Sequence, residues 1–465
     1  MENKLTKKYG LFTAICMVVG IVIGSGVFFK GQEILIATKG NLFLSVLSWI
    51  IGGLVMIICS AQFAVMATKY EKVNGVIDYA ESTCGKTFSY YLGWFVSTIY
   101  YPAMTSVLAW VSAKYFGRIL GWDEVGSNVM ILSGIFLILA YVINALSPKI
   151  AGFFQVSTTI IKLIPLLLMA FVGIIAGLVN GTLTINFVGT AISQSAGGNE
   201  LFAGVCATAF AYEGWIIATS INSEIKNAKK NLPIALVFGA LVVVAVCVMY
   251  NIAICGGASI GEISLDATAP FYNIFGQVGG VILNVLIVVS CLGTLNGLML
   301  GTTRGLYSIA IRGEGPNPKM FSQIDEATNM PTNSSIFGLL VCSLWLLYFY
   351  GANLTSNWFG VFSFNSSELP VITIYAMYIP MIIMWMVKEK NLNTLKRFII
   401  PILSIISCCF LVFVAIMAHG VNPYLDAIKN NKGFSFPVLF YLIIFVIVML
   451  IGFFFSPAFK RKINK

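Results

Sequence analysis

The chain has 465 residues, of which 58% are hydrophobic and only 10% are charged. Soluble domains carry about 25% charged residues, so this composition excludes a chain built from soluble domains. The formal net charge of +10 does not indicate a nucleic-acid partner, because the basic residues lie in short loops and tails, as the positive-inside rule requires. We therefore expect a polytopic membrane protein that contacts the lipid bilayer and binds no nucleic acid.

Apolar segments of about 20 residues, the length that crosses a bilayer, can be placed at twelve positions. They lie at 10–38, 42–67, 88–118, 127–147, 151–179, 200–222, 232–256, 271–311, 335–351, 357–387, 398–419 and 435–456. Twelve spans put both termini on one side of the membrane. Of the 28 basic residues, 20 then fall on that side, six fall on the other, and Lys162 and Arg304 lie inside spans. Lys30 is counted among the six as a loop residue. This excess predicts a multi-pass plasma-membrane protein with both termini in the cytoplasm.

Cysteine and histidine usage argues against metal or relay chemistry. The ten cysteines lie almost entirely in apolar runs and form no C-x-x-C pair, which is typical of small buried residues. The single histidine, His419, ends an apolar run, so we expect no histidine relay and no metal site. No phosphate loop, H-E-x-x-H or G-x-S-x-G with partners is visible, and we expect neither an enzyme nor a cofactor. An ion channel would need a repeated filter or a charged ring, and neither appears in the sequence.

The first apolar segment is interrupted by Gly24-Ser25-Gly26. Each glycine disfavours a helix by about 1 kcal/mol relative to alanine, and a broken backbone in lipid must find other hydrogen-bond partners. The break is therefore either a point of close helix packing or a cavity-lining site with free N–H groups.

The sixth segment carries a second interruption at residues 210–215, Phe-Ala-Tyr-Glu-Gly-Trp. The two interrupted spans are five spans apart, so the second half of the chain must be inverted relative to the first. Paired interruptions of this kind indicate a transporter site near the bilayer midplane. The predicted units are residues 1–195 with spans 1–5, residues 196–390 with spans 6–10, and residues 391–465 with spans 11–12 and the tail.

These motifs resemble a known family. Residues 23–28, Ile-Gly-Ser-Gly-Val-Phe, are similar to the span-1 signature of the amino acid–polyamine–organocation superfamily, and residues 210–215 resemble the FAY-x-GW motif of its L-type amino-acid transporter branch. The nearest likeness is to bacterial serine/threonine or alanine/serine/cysteine exchangers. Further similar stretches are 157–166, 224–227 and 295–297. The resemblance implies an all-α integral membrane protein with a LeuT-like 5+5 inverted repeat, 12 transmembrane helices and discontinuous spans 1 and 6.

The sequence departs from the animal members of this branch in two places. Loop 119–127 lacks the cysteine that animal members use to bond a heavy subunit, so we expect no disulfide-linked partner. Animal members also tend to have glycine where Glu213 stands, which leaves the class of the substrate side chain open.

The resemblance also suggests how a substrate amino acid is held. Free N–H groups at a helix N-terminus favour an anion, and the family places the substrate carboxylate there, at Gly24, Ser25 and Gly26, with the Ser25 hydroxyl as a further donor. The ammonium group would bind the backbone carbonyls that the two breaks release, those of Val22, Ile23, Phe210, Ala211 and Glu213. The Phe210 ring would act as a gate that closes the outward path.

Lys162 lies near the middle of the fifth span. A cation at this depth costs about 3 kcal/mol, so it normally faces a cavity or a partner. A fixed ammonium bonded to span-1 carbonyls can replace the sodium ion of related transporters. Alternatively, Lys162 releases a proton during the cycle, which would make the chain a proton symporter.

The function predicted is sodium-independent exchange of small neutral L-amino acids by alternating access. A proton-coupled symporter and a permease for larger or cationic amino acids are the alternatives. Glu213 could pair with a basic substrate, carry a proton or bond nearby backbone, and we favour the structural role. Glu368 is interpreted as a helix cap at the start of span 10, Asn296 as structural, and Arg304 as a candidate for a salt bridge at the inner gate.

Overall fold

The computed structural model describes residues 10–70, 75–146, 148–193, 198–216, 219, 225–328, 330–354, 358–431, 433–456 and 459. This part of the chain is helical and holds no β-strand. Its α-helices are α1 (Leu11–Val22), α2 (Ser25–Ala37), α3 (Leu42–Lys69), α4 (Val76–Cys84), α5 (Lys86–Phe95), α6 (Tyr101–Ile119), α7 (Ser127–Leu146), α8 (Pro148–Val179), α9 (Thr182–Ser193), α10 (Gly198–Ala211), α11 (Ala228–Gly257), α12 (Ile260–Leu265), α13 (Ala269–Thr303), α14 (Gly305–Ala310), α15 (Pro318–Phe321), α16 (Thr332–Phe349), α17 (Leu369–Lys388), α18 (Ile400–Ile416), α19 (Asn422–Lys429) and α20 (Pro437–Phe454). Four π-helical segments, Val96–Tyr100, Tyr350–Leu354, Leu395–Ile399 and Met417–Val421, and a 3₁₀ turn at Gly360–Phe362 join or extend them.

Nine helical stretches of the described chain are long and apolar enough to cross a membrane. They are Leu42–Lys69, Ser127–Ala145, Ile160–Val179, Ala228–Gly257, Ala269–Ala310, Thr332–Leu354, Leu369–Lys388, Leu395–Lys429 and Pro437–Phe454. The prediction of a multi-pass membrane protein is thereby supported. The first, third and sixth predicted spans are absent from this set. The helices of the first and sixth are short, with 12 and 13 residues on either side of the first break and 14 residues before the second, and the third is divided into α5, the π-helical segment Val96–Tyr100 and α6. The count of twelve spans and the inverted repeat stay predictions.

The first break lies where glycine was expected to interrupt the helix. α1 ends at Val22, and Ile23 and Gly24 leave helical geometry before α2 begins at Ser25. Gly24 has φ −137°, which other residues adopt, so its glycine is not required by backbone conformation. A Cβ on Gly24 would instead lie 2.3 Å from Oγ1 of Thr294, so glycine is required there because α13 approaches closely.

The second break follows α10. Residues 212–214 are not helical, and Gly214 has φ +102°, a left-handed conformation that glycine adopts at no steric cost. A short turn resumes at Trp215. Residues 217–218 and 220–224, including Glu224 of the predicted motif, lie outside the described residues.

Two long helices form the centre of the bundle. α11 packs against α1, α3 and α8, and α13 packs against α6 and α8, while α10 packs against α2 and α3. We call the end of the bundle that carries Lys30, Lys114 and Glu368 the Lys30 end. The opposite end, where α3, α17 and the loop after α14 finish, is the Arg312 end.

Candidate functional site

The two breaks lie against each other in the folded chain. A Cβ placed on Gly26 would be 2.8 Å from the Cα of Ala211. Backbone can approach this closely only where a side chain is missing, so the second glycine of the first break is needed for contact with the second break. Close packing and a binding site were posed as alternatives for this stretch, and the geometry shows that the packing is present at the point where a site would be formed.

Lys162 is fully buried on α8 and donates a hydrogen bond from Nζ to the carbonyl oxygen of Gly20. In a regular helix this carbonyl would accept from the N–H of Gly24, which lies beyond the end of α1. The break therefore exposes an acceptor, and Lys162 bonds it. The sequence analysis expected Lys162 to bond span-1 carbonyls without naming one, and the carbonyl it bonds is that of Gly20.

α13 supplies a wall of the site that sequence reasoning did not assign. Thr294 faces Gly24, the thiol of Cys291 is close enough to Lys162 to interact electrostatically, and Ser290 has a buried hydroxyl for which the described residues provide no hydrogen-bond partner. Ser290 and Cys291 lie four and three residues before Thr294, so each lies one helical turn away from it. Their hydroxyl and thiol groups in an otherwise apolar span are the signal that could have identified them.

The predicted carbonyl ligands are only partly available. The carbonyl oxygen of Phe210 already accepts the N–H of Glu213 at 3.3 Å, so only its second lone pair is left for a ligand. The Ser25 hydroxyl, predicted as a further donor, lies outside the described part of the structure.

Glu213 is buried beside the π-helical segment Val96–Tyr100. The hydroxyl of Tyr100 donates to Oε1 of Glu213, whereas Oε2 is buried and has no hydrogen-bond partner among the described residues. π-helical turns inside helices occur frequently at functional sites. The Tyr100 contact of Glu213 ties the second break to the third predicted span, and the structural role of Glu213 stays a prediction.

Phe210 belongs to a layer of aromatic rings on the side of the breaks that faces the Lys30 end. Its ring centroid lies 6.1 Å from that of Phe29, and the Phe29 centroid lies 5.6 Å from that of Trp110, both edge to face. Lys30 places its ammonium 5.5 Å from the Phe210 centroid, and Lys114 lies 5.2 Å from that of Trp110, within the range of cation–π attraction. This layer separates the breaks from the Lys30 end.

Lys30 is not a loop residue, as the sequence suggested, but a fully buried residue of α2. Its Nζ donates to Oε1 of Glu368 at 2.7 Å, to Oγ of Ser367 at 3.2 Å, and to Glu33. The prediction failed because any lysine at the end of an apolar run is counted as a loop residue when its partner is unknown. The pair links α2 to the start of α17 and closes the Lys30 end.

The predicted helix-capping role of Glu368 is wrong. Glu368 occupies the N-cap position of α17 but makes no side-chain capping bond, because both carboxylate oxygens are used elsewhere. Oε1 accepts from Lys30, and Oε2 lies 2.9 Å from Nε2 of His419. The expectation that His419 has nothing to work with is therefore also wrong, since the fold brings it to a buried carboxylate.

Other motif residues have structural contacts. The hydroxyl of Tyr212 donates to the carbonyl of Trp49 at 2.9 Å, and Nε1 of Trp215 donates to the hydroxyl of Tyr375 at 3.1 Å. Asn296 is held by Asn144 on α7 and by the carbonyl of Ala151. These side chains fix the second break and α13 in place, which agrees with the structural role expected for Asn296.

Ion pairs also connect elements at the Arg312 end. Arg312 bonds Asp78 and Glu81 of α4, and Glu389 accepts from Lys69 and from the hydroxyl of Tyr70. Arg312 therefore makes, at this end, the kind of link that sequence reasoning proposed for Arg304.

Comparison with known proteins assigns this chain to a family. Residues 9–454 match the family model described as amino acid permease. The chain is 32% identical over 351 residues to the serine/threonine exchanger SteT of Bacillus subtilis, covering 74% of this chain and 78% of that protein.

Two animal transporters are similar at lower identity. The b(0,+)-type amino acid transporter 1 of Mus musculus is 24% identical over 435 residues, which cover 91% of this chain and 85% of that protein. The Asc-type amino acid transporter 1 of Mus musculus is 26% identical over 346 residues, which cover 73% of this chain and 63% of that protein. Because the family model spans nearly the whole sequence, the chain belongs to the amino acid permease family of multi-pass membrane transporters.

Proposed function

We propose that this permease is a sodium-independent exchanger of small neutral L-amino acids. The observation that carries the proposal is the buried Lys162 ammonium on the carbonyl of Gly20. It places a cationic donor at the break, on an acceptor carbonyl that a bound cation could otherwise occupy. A fixed ammonium in this place makes a sodium ion unnecessary.

The substrate lies between the two breaks in this proposal. The first turn of α2 presents the N–H groups of Ser25 and Gly26 at a helix N-terminus, which favours the substrate carboxylate. The ammonium group of the substrate is held by the backbone carbonyls of Val22, Ile23, Ala211 and Glu213 and by the second lone pair of the Phe210 carbonyl oxygen. The close approach of Gly26 to Ala211 supports a small enclosed site, and Thr294 contributes to its wall.

Alternating access follows from contacts at the two ends. The Lys30–Glu368 pair and the layer around Phe210 close the Lys30 end, which we assign to the outside, and the Arg312 end faces the cytoplasm. Both termini are cytoplasmic, the chain crosses the plasma membrane twelve times in a 5+5 inverted repeat, and it works without a disulfide-linked heavy subunit. The exchange mode and the small-substrate class draw support from the similarity to a serine/threonine exchanger.

Uptake of labelled serine into proteoliposomes tests the proposal. Preloading with unlabelled serine should increase uptake strongly, and replacing external sodium by choline should leave it unchanged. Loss of uptake without sodium would refute the role given to Lys162. Uptake that ignores internal serine but follows an inward proton gradient would overturn exchange in favour of proton-coupled symport. Competition by leucine, lysine and alanine defines the substrate class, and preference for lysine or leucine would contradict the small neutral class.

A further inference from the structure

Three side chains with metal-binding atoms meet at the Lys30 end. Cys206 comes from α10, Glu368 precedes α17, and His419 lies in the π-helical segment Met417–Val421. One ligand atom of each lies within 4.8 Å of the others. Glu368 Oε2 lies 2.9 Å from His419 Nε2, and a carboxylate oxygen of Glu368 lies within 4.8 Å of the Cys206 sulfur.

A cavity reaches two members of this group, Glu368 and His419, and Cys206 lies next in sequence to its lining residue Ala207. It has a volume of about 270 Å³ and is lined by Glu33, Asn365, Glu368 and His419 together with small and aliphatic residues of α2 and α10 and Ala418. Glu33 has a side chain that is 37% exposed, so the cavity is open to solvent. It provides a path for a small ion and room for a water molecule as a further ligand.

The charges around the cavity favour a divalent cation with a thiolate ligand. Lys30 together with Glu33 and Glu368 carries a net charge of −1 when His419 is neutral. A divalent ion adds two positive charges, and deprotonation of Cys206 on metal binding removes one, so the occupied cluster is neutral. Lys30 bonds Oε1 of Glu368, which leaves Oε2 for the metal.

We propose that Cys206, Glu368 and His419 form a binding site for a borderline-soft divalent cation such as Zn²⁺. Thiolate, imidazole and carboxylate together are a donor set of zinc, whereas Mg²⁺ and Ca²⁺ prefer oxygen ligands. Zinc bonds of roughly 2.0–2.3 Å require the three ligand atoms to close around the ion by a small side-chain adjustment. No part of the proposed substrate site is used, since the cluster lies on the other side of the Phe210 layer.

Occupation would lock this end of the permease. The three ligands belong to three different elements, and α10 ends at the second break. A metal that ties α10 to the start of α17 and to the Met417–Val421 segment prevents their separation. Inhibition of transport by the ion rests on the proposed function, whereas metal binding does not.

Metal binding is tested first, on the purified full-length protein in detergent. Zn²⁺ is titrated calorimetrically, and Co²⁺ is used as a spectroscopic probe because thiolate ligation gives it charge-transfer absorption. We expect one site per chain. Loss of an outer-shell partner typically costs about 10–100-fold in metal affinity, and Cys206→Ser and His419→Ala should each cost at least that much. Cys409→Ser is the matched control, because Cys409 is an exposed thiol on α18.

Inhibition is tested second, by adding Zn²⁺ outside proteoliposomes and reversing it with a chelator. Absence of stoichiometric binding, or equal binding by the Cys206→Ser, His419→Ala and Cys409→Ser variants, overturns the site whatever the transport result. Binding at the assigned residues without inhibition overturns the locking action. A failure of serine exchange itself concerns the proposed function and leaves the calorimetric result to decide the site.

Discussion

The Lys30–Glu368 pair gives a quantitative test of how this bundle is held closed. Lys30 is fully buried, its Nζ lies 2.7 Å from Oε1 of Glu368, and the Glu368 side chain is 6% exposed. Removing one partner of a buried ion pair typically costs about 3–5 kcal/mol, because the other charge is left buried and unpaired. Each residue has a second hydrogen-bond partner that remains after the substitution, Glu33 for Lys30 and His419 for Glu368. We therefore expect Lys30→Met and Glu368→Gln each to lower the free energy of unfolding by about 3 kcal/mol, the lower end of this range.

The double variant should be destabilised by less than the sum of the two single variants, since neither charge is then stranded. The measurement is the thermal unfolding midpoint of each purified variant in detergent. Lys39→Met is the matched control, because Lys39 pairs with Glu200 at the same end of the bundle but its side chain is 68% exposed. Exposed pairs contribute little, and the control should unfold like the parent.

Two results would refute this reasoning. Equal midpoints for Lys30→Met and Lys39→Met would mean that burial does not make the Lys30 pair important. Strictly additive effects of Lys30→Met and Glu368→Gln would mean that the two side chains are not energetically coupled, whatever their distance.

Three further predictions concern the breaks. Lys162→Met should abolish serine exchange while the protein elutes as a folded monodisperse species, and full exchange in that variant would rule out the role of its ammonium. Gly26→Ala places a methyl group against Ala211 and should cost about 1–3 kcal/mol through overpacking, measured as a lower unfolding midpoint, whereas Gly134→Ala, where the space is open, should leave stability equal or higher. Glu213→Gln keeps an acceptor for Tyr100 and should retain both fold and exchange; loss of exchange at unchanged stability would contradict a structural role.

The close contact of Gly26 with Ala211 shows what the sequence can and cannot predict at the first break. Glycine content alone predicted an interruption at residues 24–26, and α1 and α2 are separated there. The same pattern could not distinguish packing from binding, because both need a missing side chain. The distinction requires the position of Ala211, which is 185 residues away and adjacent only after folding.

Charged side chains were the weakest part of the sequence prediction. Lys162 was identified because a cation near the middle of an apolar span needs a partner, and the first span was already suspected of having unpaired carbonyls. Lys30 gave no such signal, since it stands at the end of an apolar run, where charge is ordinary, and Glu368 was interpreted as a helix cap. Lys30 and Glu368 are 338 positions apart in the sequence, so only the tertiary structure brings them together. The sequence analysis expected no relay or metal site at His419 because its partner, Glu368, is likewise brought to it only by folding.

The two ends of the bundle differ in a way that bears on exchange. The ion pair at the Lys30 end has a lysine with no exposed surface, whereas Arg312 and Lys69 at the opposite end have side chains that are 18% and 43% exposed. The carboxylate partners at the Arg312 end, Asp78 and Glu389, are only 8% and 7% exposed, so the two ends differ in their cations. Water can replace the lost partner of Arg312 or Lys69 more readily than that of Lys30, and opening the Arg312 end therefore costs less than opening the Lys30 end. A ligand shifts such an equilibrium only by its differential affinity for the two states. If substrate binding supplies the free energy that opens the Lys30 end, an empty carrier cannot make that transition at a comparable rate. Each outward opening then requires a bound amino acid, which is the condition for obligatory exchange.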